Sequence, residues 1–227
     1  YTDIGNAWAD AVKQSLTNPT TFKMLDDWIA TDGEFYAEDE DGDEYGTDDG
    51  YLDVDDENIN LTIDLNGNTL TLTEDDLYFG TTTFKNGTIV VDPSVKPSTA
   101  VFWMFANQTL TFDNVKIVAT GVTGTYLIGL DGNNSDLNLL NGSEILVENT
   151  TALDLDIICV NASTGNDIVV ENSKVNVKNL DGRVFFRGNY TISGTSEITL
   201  TGITKAGFRI EAGQTLSIED TSKVTIV

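Results

Sequence analysis

Three sets of residues in this chain have the types and spacing for chemistry. The first is Asp39, Asp41 and Asp43, in the run Asp39-Glu40-Asp41-Gly42-Asp43-Glu44-Tyr45-Gly46-Thr47-Asp48-Asp49. Hard carboxylate oxygens gathered in a glycine-relieved loop are what Ca2+ requires, and calcium is the one cofactor the sequence points to. Setting Asp41 and Asp43 as first and third ligands puts Gly46 at the turn, but Leu52 stands where a bidentate Glu belongs. A solvated acidic loop is the competing reading.

The second set is basic: Lys178, Arg183, Arg187 and Arg209, with Asp181 close by in sequence. A base beside carboxylates can abstract a proton, although surface or coil-to-coil ion pairs explain the same residues equally well. The third set is any pair of carboxylates, since glycoside hydrolysis needs only an acid and a base at a suitable separation. With 37 Asp and Glu in the chain that criterion selects nothing.

Other chemistry is excluded. The chain has no His, which removes Ser-His-Asp and Cys-His nucleophilic systems, imidazole-ligated zinc and imidazole acid/base work. No glycine-rich phosphate loop of the G-x-x-x-x-G-K type occurs. The formal net charge of -25, from 12 Lys and Arg against 37 Asp and Glu, would repel a phosphate backbone or an anionic membrane surface. Nucleic acid is therefore not an expected partner. Cys159 is the only cysteine, so no intrachain disulfide forms, and Ile157-Ile158-Cys159-Val160 reads as a buried, inert strand. No apolar run approaches the roughly 20 residues of a membrane span.

The elements that must position these residues follow from periodicity. Trp8, Ala11, Val12 and Leu16 fall at helical spacing over residues 6–16, after an Asn6 cap, and Asn18-Pro19 ends the helix. Residues 21–29 read as a first strand and residues 31–57 as a long acidic loop, so 1–58 is an N-terminal cap and 59–227 the body. A unit of apolar alternation, polar turn and second alternation then recurs, as in Thr82-Thr-Phe84-Lys-Asn86-Gly87-Thr-Ile89-Val-Val91 and Ile168-Val-Val170-Glu-Asn172-Ser-Lys-Val175-Asn-Val177. Seven copies recur roughly every 20 to 31 residues, a period that suits a solenoid coil.

Between most copies lies a third apolar stretch: Val101 to Phe105, Tyr126 to Ile128, Leu155 to Ile158, Val184 to Phe186, and Phe208 to Ile210. Three strands per coil predict an all-β, right-handed single-stranded parallel β-helix with an N-terminal capping helix. Alternate residues share a face, so Leu65, Phe84, Phe112, Leu139, Val170, Ile192 and Ile218 are expected to form an inward column. Asn-Gly corners fit left-handed backbone, although a β-hairpin reading of Asn-Gly is the rival. Eight Asn-x-Ser/Thr sites, at Asn60, Asn86, Asn107, Asn133, Asn141, Asn149, Asn161 and Asn189, hint weakly at surface glycosylation. The aromatic group from Val101 to Phe105 with Tyr126 reads as a core strand or as a sugar platform.

Met24-Leu25-Asp26-Asp27-Trp28-Ile29-Ala30, then the Gly/Asp-rich loop, then Asn60-Leu61-Thr62-Ile63-Asp64-Leu65-Asn66-Gly67-Asn68-Thr69-Leu70 resembles a recurring opening of large surface proteins. These are adhesin-like right-handed parallel β-helix proteins of gut Firmicutes, distant relatives of the pectin-lyase superfamily. The resemblance covers roughly residues 6–75. It departs at Asn68, where the usual residue is His, and at Asp26-Asp27, where the usual pair is less acidic. It implies an extracellular or cell-surface location. It also implies glycans, or host or microbial surface proteins, as partners. The start at Tyr1 without a charged, apolar signal pattern and the stop at Val227 within a strand-like run suggest, as an expectation, a segment trimmed at both ends. The expected function is a non-catalytic segment presenting a rigid, repetitive binding face. The alternatives are a carbohydrate-active β-helix enzyme using Lys178, Asp181, Arg183, Arg187 and Arg209 in a lyase-like site, or a purely structural stalk.

Overall fold

In a computed structural model the chain is an all-β parallel solenoid opened by one short helix. The structure describes residues 4–30, 37–38, 44–45, 59–75, 77–161 and 164–227.

Three faces run the length of the molecule. Face one takes β1 (Thr20–Lys23), β5 (Asn60–Asp64), the first halves of β8 (Thr81–Val91) and β10 (Thr109–Val118), β12 (Asp136–Leu140), β15 (Asp167–Glu171), β18 (Asn189–Ser193) and β21 (Leu216–Ile218). Face two takes β2 (Trp28–Ala30), β6 (Thr69–Leu72), the second halves of β8 and β10, β13 (Glu144–Leu153), β16 (Lys174–Leu180), β19 (Glu197–Ile203) and β22 (Lys223–Ile226). Face three is β7 (Leu77–Tyr78), β9 (Ala100–Met104), β11 (Tyr126–Leu130), β14 (Asp156–Val160), β17 (Arg183–Phe186) and β20 (Ala206–Arg209). Every pairing among these faces is parallel, so the hairpin reading fails. The only antiparallel pair described is β3 (Ala37–Glu38) with β4 (Glu44–Tyr45), within the acidic segment.

Register converts the sequence repeat into columns. Phe22, Ile63, Phe84, Phe112, Leu139, Val170, Ile192 and Ile218 are successive partners on face one. Phe84 and Phe112 stack at 5.5 Å. The expected column began at Leu65, and this is corrected to Ile63. The corner between β5 and β6 spends four residues, 65–68, where the corner inside β8 spends two, 86–87, so aligning on Asn-Gly shifts the column. Leu65 is still buried, but at the corner, where it fills the space a side chain on Gly87 would need: a Cβ there would lie 2.4 Å from that of Leu65.

The corners hold themselves by left-handed backbone. Asn66, Asn86, Asn114, Asn141 and Asn172 all have φ between 50 and 58°, a region Asn tolerates because its amide bonds locally. Asn114 Nδ2 donates to Asn86 Oδ1 at 3.3 Å, and Asn141 Nδ2 to Asp113 Oδ1 at 2.7 Å. Just inside, buried serines finish the corner. Ser143 Oγ accepts from Val115 N–H at 3.0 Å and donates to Phe112 O at 2.9 Å; Ser196 Oγ donates to Val170 O at 3.0 Å.

Helix α1 (Ile4–Ser15) covers the first rung. It starts two residues before Asn6, so Asn6 lies in the first turn rather than at the cap. Trp8 is fully buried, 5.5 Å from Phe22 and 6.4 Å from Trp28, while Ala11 and Val12 extend the same apolar stripe. Ser15 Oγ donates to Val12 O at 2.6 Å as the helix ends before Pro19. Residues 21–29 divide into two strands, because the chain turns at Met24 from face one to face two; Met24 O accepts from Asn66 Nδ2 at 3.1 Å.

Candidate functional site

The basic residues are sorted by the faces that carry them. Lys178 lies on the outside of face two, in register with Glu148 and Thr201. Asp181 sits at the following corner, where its carboxylate accepts from the Thr204 hydroxyl. Arg183, Arg187 and Arg209 gather instead on the outside of face three. The fold therefore brings the three arginines together and puts Lys178 on another face.

Face three departs from simple alternation. Val101, Phe102 and Met104 of β9 all enter the core, whereas Ala100 and Trp103 turn outward; a Cβ on neighbouring Gly129 would lie 3.1 Å from that of Ala100 and 3.3 Å from the Trp103 ring. Register extends these two outward columns along the axis. One runs Ala100, Tyr126, Asp156 on consecutive strands, with Arg183 joining Ala206 further along; the other contains Tyr78, Trp103, Gly129, Cys159, Phe186 and Arg209. The aromatic group near residue 103 is thus divided between the inner core and the outer side of the sheet, where Trp103 is still buried. Tyr78 and Phe105 stack at 5.0 Å, nearly parallel.

Phe186 is the centre of the arginine group. Its ring lies 3.7 Å from the Arg183 guanidinium carbon, 4.7 Å from that of Arg187 and 5.1 Å from that of Arg209. Contacts of this kind are worth roughly 0.5–2 kcal/mol each, depending on desolvation. Arg183 forks onto Asp156: Nε donates to Oδ2 at 2.8 Å, a terminal nitrogen donates to the same oxygen, and the Arg183 N–H donates to Oδ1 at 2.6 Å. Burial opposes the guanidinium charge, but the bonds and charge of Asp156 outweigh it and raise the Arg183 pKa. Glu211 takes the other two, with Oε1 at 3.0 Å from Arg187 Nε and 3.7 Å from an Arg209 terminal nitrogen. The Arg187 Nε–H is not aimed at that oxygen, so the contact is ionic rather than a hydrogen bond.

Arg187 has φ +60°. Among the described residues every other non-glycine residue in that region is Asn or Asp. The strained conformation costs about 1 to 3 kcal/mol and is held in place by the surrounding contacts. Beside it opens a cleft of about 450 Å3 lined by Asn161, Thr164, Arg187, Glu211 and Gln214.

Cys159 lies under the same face and is fully buried. Burial pushes its thiol up to about 11, although the Tyr126 hydroxyl and Arg183 pull the other way. Its Sγ donates to Asn161 Oδ1 at 3.4 Å. Tyr126 is raised in turn, by burial first and by the Cys159 charge second. A thiol this reluctant to ionise is a poor nucleophile.

Asp39, Asp41 and Asp43 lie outside the described residues. Among the described residues no group of three or more His, Cys, Asp or Glu is gathered to hold a metal ion. Asn149, one of the glycosylation-type sites, is committed to a corner: its Oδ1 accepts from Gly121 N–H at 2.8 Å and its Nδ2 donates to Asn179 O at 3.2 Å. No described helix is long and apolar enough to cross a membrane.

Asp156, Glu211 and Phe186 were missed by sequence reasoning. The signal was register: Cys159 pairs with Phe186 and Phe186 with Arg209, which a corner-corrected alignment of the third stretches would give. Comparison with family models, curated proteins and solved structures finds no match to this chain. The parallel β-helix therefore rests on the strand pairing alone.

Proposed function

We propose that this chain is a non-catalytic segment of a secreted or surface-displayed adhesin-like protein, in which the solenoid supplies reach, rigidity and a repetitive outer face for glycans or cell-surface proteins. The observation that supports this reading is the state of the arginines. Arg183 is forked onto Asp156, and Arg187 and Arg209 share Glu211 while stacked on Phe186. Cations tied in this way clamp rungs together rather than stand ready to take a proton. The opening motif's resemblance to adhesin-like relatives of the pectin-lyase superfamily favours the same reading.

Glycan-array and cell-adhesion measurements with the whole chain test it. Retention on one glycan class or one cell surface is the expected result; no retention on any leaves only the stalk role. The cleft beside strained Arg187 favours one second reading, a carbohydrate-active enzyme. That reading expects release of unsaturated products from pectin or alginate, abolished by Arg187→Ala. Turnover that survives the substitution removes Arg187 from the chemistry, and absence of turnover in the unaltered chain removes this reading on these substrates.

A further inference from the structure

The corners that carry the chain from face three to face one differ in length along the axis. Residues 161–166 join β14 to β15 and residues 210–215 join β20 to β21, whereas only Arg187 and Gly188 join β17 to β18. A short corner between two long ones cannot reach as far out as its neighbours, so it forms the floor of a notch with a wall on either side. The floor is tight: Gly188 has φ +86°, and a Cβ there would lie 2.6 Å from Ile168 Cδ1. The same shortness accounts for the φ of +60° at Arg187.

The cleft of about 450 Å3 beside Arg187 is one half of this notch. A second hollow of about 150 Å3, sharing Thr164, Gly213 and Gln214 with it, reaches in to Asn166 and Gly188. Together they have the size of a small-ligand site, roughly 300–1,000 Å3. Among the described residues two buried polar atoms here have no hydrogen-bond partner, Asn166 Oδ1 and Arg187 Nε. Asn166 is 2% exposed, and its Nδ2 donates to Gly132 O at 2.6 Å and to Ser135 O at 3.2 Å on the preceding rung. That holds the amide with Oδ1 turned away from that rung, on the side of the notch. An unpaired acceptor and an unpaired donor each carry a desolvation penalty that a hydrogen-bonding ligand relieves.

Charge in the notch is balanced, because floor and wall form an ion pair, Arg187 Nε lying 3.0 Å from Glu211 Oε1. The wall carboxylate, on a chain of net charge -25, turns away a sugar that carries a carboxylate of its own. An amide oxygen, a guanidinium and a carboxylate side by side suit the vicinal hydroxyls of an uncharged sugar, each of which donates and accepts.

We propose that the notch holds one neutral sugar residue of a glycan, with one hydroxyl donating to Asn166 Oδ1 and another accepting from Arg187. The proposal rests on the glycan-binding reading above and gives it a place on the molecule.

The probes are methyl glycosides of glucose, galactose and mannose, with methyl glucuronide and methyl galacturonide as charged counterparts. They are titrated into the whole isotope-labelled chain and followed by NMR at the Arg187 Nε–H and the Asn166 side-chain amide. At least one neutral glycoside is expected to move both signals with a Kd on the order of 1 mM, the strength open to a ligand of this size. The uronates are expected to bind about fivefold more weakly, the scale of one partly exposed charge contact. Glu211→Gln, at an exposed residue, leaves Arg187 without its counter-charge and should reverse that order. Gly213→Asn places a residue that tolerates φ +87° where a Cβ meets nothing within 4 Å, so the backbone spectrum should be kept while the narrowed wall abolishes both shifts. No shift from any neutral glycoside, equal binding of the uronates, or shifts that survive Gly213→Asn overturn the proposal. Retention on a glycan array that is unmoved by Gly213→Asn overturns the notch and spares the adhesin-like reading. Shifts with the methyl glycosides but no retention on any array or cell surface support the notch and remove that reading.

Discussion

At the scale of single residues, the decisive feature is how often a side chain is spent on the coil rather than offered to solvent. Asn172, at φ 50°, accepts from both Thr195 N–H and the Thr195 hydroxyl, at 3.1 and 3.3 Å. Asn172→Ala loses those bonds and places an alanine in the left-handed region, so a loss of about 1 to 2 kcal/mol is expected in denaturant unfolding. Asn172→Gly keeps the backbone comfortable and should cost less; an equal loss from the two would show that backbone strain contributes little. Cys159 gives a pH signature. Its folded pKa of about 11 exceeds the unfolded value of 9.0, with burial as the main cause. Below pH 9 the thiol is protonated in both states and its stabilisation is fully present. Above that the unfolded chain sheds the proton first, so stability falls as pH rises through about 11. Cys159→Ala should flatten this part of the pH–stability curve, and native Cys159 should resist alkylation at pH 8 while the denatured chain reacts. Rapid native labelling would contradict the burial. Arg187 was legible as a member of the basic group with Arg183 and Arg209, but the left-handed φ that sets it over the Phe186 ring was not.

Elements were legible to the extent that period 2 and period 3.6 were. The helix stripe of Trp8, Ala11 and Val12 and the third apolar stretches at 101–105, 126–128, 155–158, 184–186 and 208–210 all lie on elements near where periodicity puts them. Register was legible down face one from Phe84 to Ile218 but not at the first coil or from one face to the next, because there it depends on corner length, and corners vary. Lys85 and Thr88 enclose two residues, Asp64 and Thr69 enclose four, and Asp113 and Lys116 enclose two while Leu140 and Glu144 enclose three. The two-residue difference at the first corner is why Leu65 stood in for Ile63, and the uneven corners also hid the pairing of Phe186 with Arg209. The columns also set what a core deletion costs. Phe112 touches Phe84 at 5.5 Å and Phe102 at 5.5 Å across two faces. Phe112→Ala is therefore expected to cost about 3 to 5 kcal/mol in equilibrium unfolding. A value near 1 kcal/mol would mean that the neighbouring rungs collapse into the space.

For the whole molecule, the question is how a chain of net charge -25 stays folded as a one-dimensional stack. Each rung bonds only to its neighbours, so stability is close to a sum of rung and interface terms. Two electrostatic effects oppose each other when salt is added. The cross-rung pairs Lys116–Glu144 and Lys174–Glu197 are partly exposed, worth roughly 0 to 1 kcal/mol apiece, and weaken with screening. Repulsion among the surplus carboxylates acts over the whole surface and weakens as well. With so few pairs against so large an excess, the second effect dominates, and Tm should rise between low salt and about 0.15 M, where the Debye length is roughly 8 Å. A Tm that falls would mean the ladders outweigh the excess charge. The stack is also unequal end to end. The first rung lies under Trp8 of α1, the middle rungs of β12 and β15 have partners on both sides, and the last rung has exposed Leu216, Ile218 and Ile226 with partners on one side only. Opening from that last rung exposes the least new apolar surface and breaks one interface, whereas opening at β12 breaks two. In a chain of residues 1–227 amide exchange should therefore be fastest across β20, β21 and β22 and slowest across β12 and β15, in a graded series read by mass spectrometry. Uniform protection along the chain would show that the solenoid opens as one cooperative unit instead of rung by rung.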